Sequence, residues 1–110
     1  MEKTVPLVID MHLVQKNDLE KVFPTFSQLR FNLTLNAFQD LFMDLSQQDS
    51  YKLFALFCDD DCLALIGMRP YYDFIRGKHL YVDDLVICQN HRSQGLGGQL
   101  LKWIEEYAVK

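Results

Sequence analysis

At 110 residues, 49% of them hydrophobic and 24% charged, the chain is long enough to bury the core of one soluble domain and too short for two. A formal net charge of -4 with no run of basic residues excludes a general nucleic-acid binder, because neutralising phosphates needs clustered Lys and Arg. The longest apolar runs fall far short of a bilayer, and Pro6 and Asp10 interrupt the stretch where a secretory leader would need its apolar centre, so no membrane role is expected.

In chain order, Val5 to Val14 reads as a first strand, with Pro6 near its open end where a missing N–H is tolerated. Asn17 or Asp18 caps a helix with Leu19, Val22, Phe23, Phe26 and Leu29 at helical spacing. Pro24 predicts a kink or break in it, with a short second piece after. Thr34 caps the next helix, whose apolar face is Leu35, Phe38, Leu41, Phe42 and Leu45. Tyr51 to Cys58 is a strand, Asp59-Asp60-Asp61 a turn, and Cys62 to Met68 the returning strand, extended to Tyr72 with Pro70 on an edge or bulge. Gly77-Lys78 marks another turn. His79 to Cys88 is a third consecutive strand, and its continuously apolar centre, Leu85-Val86-Ile87, is the pattern of a buried central strand. The last helix begins near Gly95 and puts Leu96, Leu100, Ile104 and Tyr107 on one face, with Trp103 and Ala108 beside it. The order β-α-α-β-β-β-α, an antiparallel meander packed with helices, is an α+β fold, and residues 1–110 read as one domain.

Cys58 and Cys62 flank the aspartate turn and are placed to face each other across the hairpin. With Cys88 they make an odd count without framework spacing, which points to free thiols in a reducing compartment, hence the cytoplasm. No His or further Cys completes a ligand set around them, so no metal is expected.

The stretch that carries chemistry is Arg92-Ser93-Gln94-Gly95-Leu96-Gly97-Gly98, between the strand His79 to Cys88 and an amphipathic helix. Glycines let backbone approach an anion closely, and the first N–H groups of a helix lack intrahelical partners. The helix dipole adds partial positive charge at the same place, so strand, glycine loop and helix form a phosphate cradle. A dinucleotide fingerprint does not fit, because the third glycine is missing at its spacing and no later βα unit follows. A P-loop is excluded because no Gly-Lys-Ser/Thr is present. A plain turn using glycine for geometry is the simpler alternative.

The segment Arg92-Ser93-Gln94-Gly95-Leu96-Gly97, after the apolar Leu85-Val86-Ile87 and before Leu100-Leu101, resembles the acetyl-CoA signature of the GNAT N-acetyltransferase superfamily, Arg/Gln-x-x-Gly-x-Gly/Ala. Tyr81-Val82-Asp83-Asp84-Leu85 is similar to the Tyr-Leu-Glu-Asp stretch of its diamine acetyltransferase branch. The resemblance implies an acetyl-CoA-dependent enzyme acting on a primary amine of a small molecule or protein. It implies that the pyrophosphate of acetyl-CoA sits on the loop N–H groups of Gln94, Gly95, Leu96, Gly97 and Gly98, beside the Arg92 guanidinium. The pantetheine arm would pair like an extra strand with Leu85, Val86 and Ile87, where a backbone N–H polarises the thioester carbonyl. By position Asp83 matches the base of the diamine branch, directly or through water. Asp84 falls on the opposite face of the strand unless a bulge intervenes. Solvated acids at a strand's start are the plain reading of both. His79 and His91 are bases by chemistry, and more simply solvated loop histidines. Phe23, Phe26, Phe31, Phe38 and Phe42 read as core, and the resemblance makes some of them walls of an apolar acceptor pocket. Tyr71, Tyr72 and Phe74 cluster after Pro70, where exposed aromatics can mark a binding surface, and read more simply as core or dimer packing.

Domains of this superfamily continue past the third helix into a fifth strand, a fourth helix and two more strands, and the sequence holds no counterpart to them. The strand His79 to Cys88 is then expected to present an unpaired apolar edge, which favours a homodimer. The alternative to an acetyltransferase is a catalytically inactive, truncated module that dimerises through this edge.

Overall fold

The computed structural model describes residues 10–91 and 95–108. Its elements are β1 (His12–Leu13), α1 (Leu19–Phe26), α2 (Leu35–Gln48), β2 (Lys52–Cys58), β3 (Asp61–Asp73), β4 (Gly77–Ile87) and α3 (Leu96–Ala108), with single 3₁₀ turns at Lys16–Asp18 and Gln89–His91. The order β-α-α-β-β-β-α and the α+β class are those read from the sequence. The strands form one antiparallel sheet in the order β1-β2-β3-β4. Half of the expected first strand, Val5 to Val14, lies outside the described residues, and within the rest the strand is His12–Leu13.

Helices cover both faces of the sheet, so the middle strands are buried twice. Leu53, Ala55, Leu65 and Val86 face α1 and α2, where Leu19, Val22, Phe26, Phe38 and Phe42 complete one core. Phe54, Ala64, Ile66 and Met68 face the other way, onto Leu100, Trp103, Ile104 and Tyr107 of α3. This two-sided burial explains the near-continuous apolar runs of β2 and β3. In β4 that burial is partial: Val86 belongs to the first core, while Leu80 and Ile87 are only half-buried against the second. Among the described residues β4 pairs only with β3, and Leu85 is 41% exposed. The apolar centre Leu85-Val86-Ile87 therefore belongs to an edge, where the pattern had suggested a central strand.

Local chemistry fixes the ends. The Thr34 hydroxyl caps α2 by accepting from the Ala37 N–H at 3.2 Å. Asp18 closes the turn before α1, accepting from the Gln15 N–H at 2.8 Å and lying 3.0 Å from His12 Nε2. Pro24 sits inside α1, which runs two residues further before Ser27 turns the chain, and no second helical piece follows before α2. The β3–β4 turn spans residues 74–76, one step earlier than Gly77-Lys78, because Asp73 accepts from the N–H groups of Ile75 and Arg76. Pro70 lies within β3 opposite Leu80.

Two one-residue register shifts change what faces what. Leu56 pairs with Ala64 but Phe57 pairs with Cys62, so Leu63 is extra. An unshifted ladder would oppose Cys58 and Cys62. The bulge instead leaves Cys58 exposed opposite Asp61 and buries Cys62, whose thiol donates to the Ala64 carbonyl at 3.5 Å. The second shift lies in β4 and shapes the site.

Candidate active site

Gly67 pairs with Asp84, while Met68 pairs with Val82, so Asp83 is the extra residue of a bulge in β4. In a regular ladder Asp83 would oppose Met68 and point at α3. The bulge brings Asp83 and Asp84 to the same face of the sheet, the one that carries α1 and α2. Leu65, Gly67 and Arg69 alternate onto that face of β3. Arg69 Nε donates to Asp83 Oδ2 at 2.8 Å, and the same guanidinium lies 5.8 Å from the Tyr81 ring centre. That hydrogen bond to Asp83 also raises the Arg69 pKa above its ordinary value.

Asp84 is only 8% exposed and held from two sides. The Tyr51 hydroxyl donates to Oδ2 at 2.7 Å, and Arg30 Nη2 donates to Oδ1 at 2.9 Å. Arg30 Nη2 also reaches the Asp83 carbonyl at 3.5 Å, which ties the α1–α2 loop to the bulge. Burial, and then the charge of Asp84, push the Tyr51 phenol far above its ordinary pKa, so it stays a proton donor to the carboxylate. Gly67 makes room for this. A Cβ there would strike the Tyr51 hydroxyl and lie 2.6 Å and 2.9 Å from two ring carbons.

Asp84 lines a cleft of about 470 Å³ between the α1–α2 loop, α2 and the sheet. The walls are largely apolar, with Leu29, Phe31, Phe38, Leu41 and Leu45 among them, and Arg30, Asn32 and Asp84 supply the charged and amide groups. Asp83 is not a lining residue and sits beside the cleft in its pairing with Arg69.

The expected phosphate loop lies at the far end of β4. Gln28 of the α1–α2 loop anchors the chain there, its side-chain carbonyl accepting from the Gln89 N–H at 2.8 Å. Gly95 has φ +81°, a left-handed conformation that glycine adopts without strain, and it turns the chain into α3. Leu96 is buried, and a Cβ on Gly97 would be in ordinary contact with the Ile87 side chain at 3.8 Å, so α3 starts against the end of β4. A Cβ on Gly98 would meet nothing within 4 Å. No packing among the described residues demands glycine there. Arg92 and Gln94 fall outside the described residues. Of the expected cofactor residues, Leu85, Val86 and Ile87 thus lie on the edge strand of the described sheet, which leads toward Gly95, Leu96, Gly97 and Gly98. An edge strand can pair with an extended ligand, and a glycine turn at a helix N-terminus can receive phosphates.

The groups that sequence reasoning passed over are Arg30, Tyr51, Gly67 and Arg69. Two signals for them exist. Gly67 is an isolated glycine in a strand pattern, a sign of close approach by a neighbour. Arg30 is the lone charged residue from Phe26 to Leu33.

Residues 16–110 match the family model for the acetyltransferase (GNAT) family. An uncharacterized N-acetyltransferase of Bacillus subtilis (strain 168), YhdJ, is 33% identical over 98 residues, covering 89% of this chain and 69% of that protein. Among solved structures, a GNAT family acetyltransferase from Staphylococcus aureus subsp. aureus USA300_TCH1516 superposes with a TM-score of 0.77 at 22% identity, covering 94% of this chain and 79% of the other. Aminoglycoside N-acetyltransferase AAC(6')-Iy in complex with CoA superposes with a TM-score of 0.71 at 17% identity, covering 94% and 72%.

Proposed function

This chain belongs to the acetyltransferase (GNAT) family, and from that membership we propose that it transfers the acetyl group of acetyl-CoA to a primary amine of a small molecule or protein. The observation that carries this reading is the bulge at Asp83. It puts two adjacent carboxylates on one face of the sheet, Asp84 in the cleft and Asp83 beside it, on the strand that ends at the glycine turn. Acetyl-CoA brings the activated acetyl thioester. Its arm would lie along Leu85, Val86 and Ile87, and its pyrophosphate would rest on the turn of Gly95, Leu96, Gly97 and Gly98, with Arg92 and Gln94 of the same motif as further donors. In the cleft, Asp84 orients the amine as an ammonium. Asp83, fixed by Arg69, takes its proton through a water, because an aspartate side chain is short. We assign residues 1–110 to one domain working in the cytoplasm, and the exposed Leu85 of β4, at the edge of the described sheet, favours a two-fold dimer.

The test is calorimetric titration of acetyl-CoA, followed by acetyl transfer to a panel of amines. Micromolar binding and transfer are expected. Asp83→Asn should retain the acetyl-CoA affinity and lose about a hundredfold or more in kcat, with the residual rate rising with pH as solvent deprotonates the amine. An unchanged kcat and pH profile in Asp83→Asn would remove Asp83 from the base role. The second reading, an inactive module that dimerises through β4, rests on the same edge. A stable dimer that binds no acetyl-CoA would establish it, and a monomer at high concentration in light scattering would end both it and the dimer assignment.

A further inference from the structure

We propose that the cleft above Asp84 selects an acceptor with a single primary amine on an apolar alkyl or aryl body, and discriminates against polycations. This rests on the acetyl-transfer reading and narrows its acceptor. A volume of about 470 Å³ suits a small molecule. Large apolar side chains ring it without being covered by protein. Phe31 is 80% exposed and Leu41 48% exposed, and both line the concavity together with Leu45. Apolar side chains gathered around a concavity, rather than scattered, mark a binding surface.

Charge decides which ligand fits. Among the lining residues the only charged groups are Arg30 and Asp84, and they pair at 2.9 Å. The cleft therefore carries no net negative charge to gather a polycation. A carboxylate offers about four lone-pair positions. The described bonds from Tyr51 and Arg30 occupy two of Asp84, which leaves room for one ammonium at the sheet end. An apolar body behind that ammonium lies against leucine and phenylalanine, replacing water. A polyamine or an aminoglycoside would press its other ammonium groups onto the same side chains with no counter-charge to offset their desolvation.

Phenethylamine, octylamine and spermidine, titrated by calorimetry into the whole chain with and without saturating coenzyme A, test this directly. Phenethylamine and octylamine should bind at least about tenfold more tightly than spermidine. Leu41→Glu, at a half-exposed rim position that tolerates a charge, should weaken octylamine and strengthen spermidine, inverting the order. Phe31→Ser, on the α1–α2 loop, should weaken octylamine alone. Spermidine binding as tightly as octylamine overturns the proposal, as does no amine binding in either condition. An oligomer that Leu41→Glu dissociates, with no amine bound by the parent, assigns the trough to a second copy and also overturns it. The two readings fail separately. Acetyl-CoA binding without apolar-amine binding rejects the acceptor class alone. Apolar-amine binding without acetyl-CoA binding or transfer rejects the enzyme reading alone.

Discussion

Replacing Gly67 by alanine adds one methyl group in the middle of β3, yet it should be among the most damaging single changes to this protein. The new Cβ would strike the Tyr51 hydroxyl and lie 2.6 Å and 2.9 Å from two ring carbons, well inside contact distance. A phenol ring is rigid, so the whole side chain must swing away. Swinging it breaks the 2.7 Å hydrogen bond to Asp84, a bond to a charged acceptor that contributes about 1.5–3 kcal/mol. Forcing volume into the packed core around Tyr51 costs about 1–3 kcal/mol more. The sum, about 2.5–6 kcal/mol, is a large part of a small domain's stability. Urea unfolding followed by tryptophan fluorescence measures it, with Trp103 as the single reporter. Tyr51→Phe, which loses only the hydroxyl, should cost about 1.5–3 kcal/mol. In a Tyr51→Leu background, which lacks all three crowded atoms, Gly67→Ala should cost under about 1 kcal/mol, and the difference is the coupling. If Gly67→Ala unfolds at the same urea concentration as the parent, or costs as much in the Tyr51→Leu background as in the parent, the contact is not what requires glycine.

The two loop glycines should behave oppositely. Gly95→Ala forces a side chain into φ +81° and should cost about 1–2 kcal/mol in the same unfolding assay. Gly98→Ala meets no described atom within 4 Å and should stabilise α3 by up to about 1 kcal/mol, while weakening acetyl-CoA in calorimetry; tighter or equal binding would remove Gly98 from the cofactor loop. The Asp18 carboxyl is held below its ordinary value of 3.8, chiefly by the Gln15 N–H. Its stabilisation is therefore present above that value and lost as pH falls through the depressed one. Asp18→Asn should cost about 1 kcal/mol at neutral pH, and urea midpoints of variant and parent should converge on acidification below 3.8. Burial pushes the Cys62 thiol up to about 11, whereas Cys58 is exposed. Iodoacetamide at mildly alkaline pH should label Cys58 in the native protein and Cys62 only after unfolding, and peptide mapping that finds equal rates would contradict the register of the β2–β3 hairpin.

Helices were the most readable part of this chain, because their signals are local. Thr34 caps α2 through its own hydroxyl, and Leu100, Trp103, Ile104 and Tyr107 form one side of a core through spacing alone. The strands were readable as strands but not as neighbours. Apolar runs in β2 and β4 look alike, yet β2 lies between two strands while β4 is at the edge of the described sheet. Composition reports that a side chain avoids water. It does not report whether protein or a ligand covers it.

Register was the least readable, and it decides the site. Strand alternation assigns each residue to a face only while the ladder is regular, and one extra residue reverses everything beyond it. The extra Leu63 moves Cys58 away from Cys62, and the extra Asp83 moves a carboxylate from the α3 face to the cleft face. No pattern in Tyr81-Val82-Asp83-Asp84 marks that insertion. Its physical cause lies across the sheet, where Gly67 admits the Tyr51 ring and the Tyr51 hydroxyl and Arg30 hold Asp84. With Asp84 held on that face, Arg69, two residues beyond Gly67, holds Asp83 on the same side. The isolated glycine was thus the residue to question in the sequence. A strand interior disfavours glycine, and what gains from it here is not the strand but the carboxylate opposite.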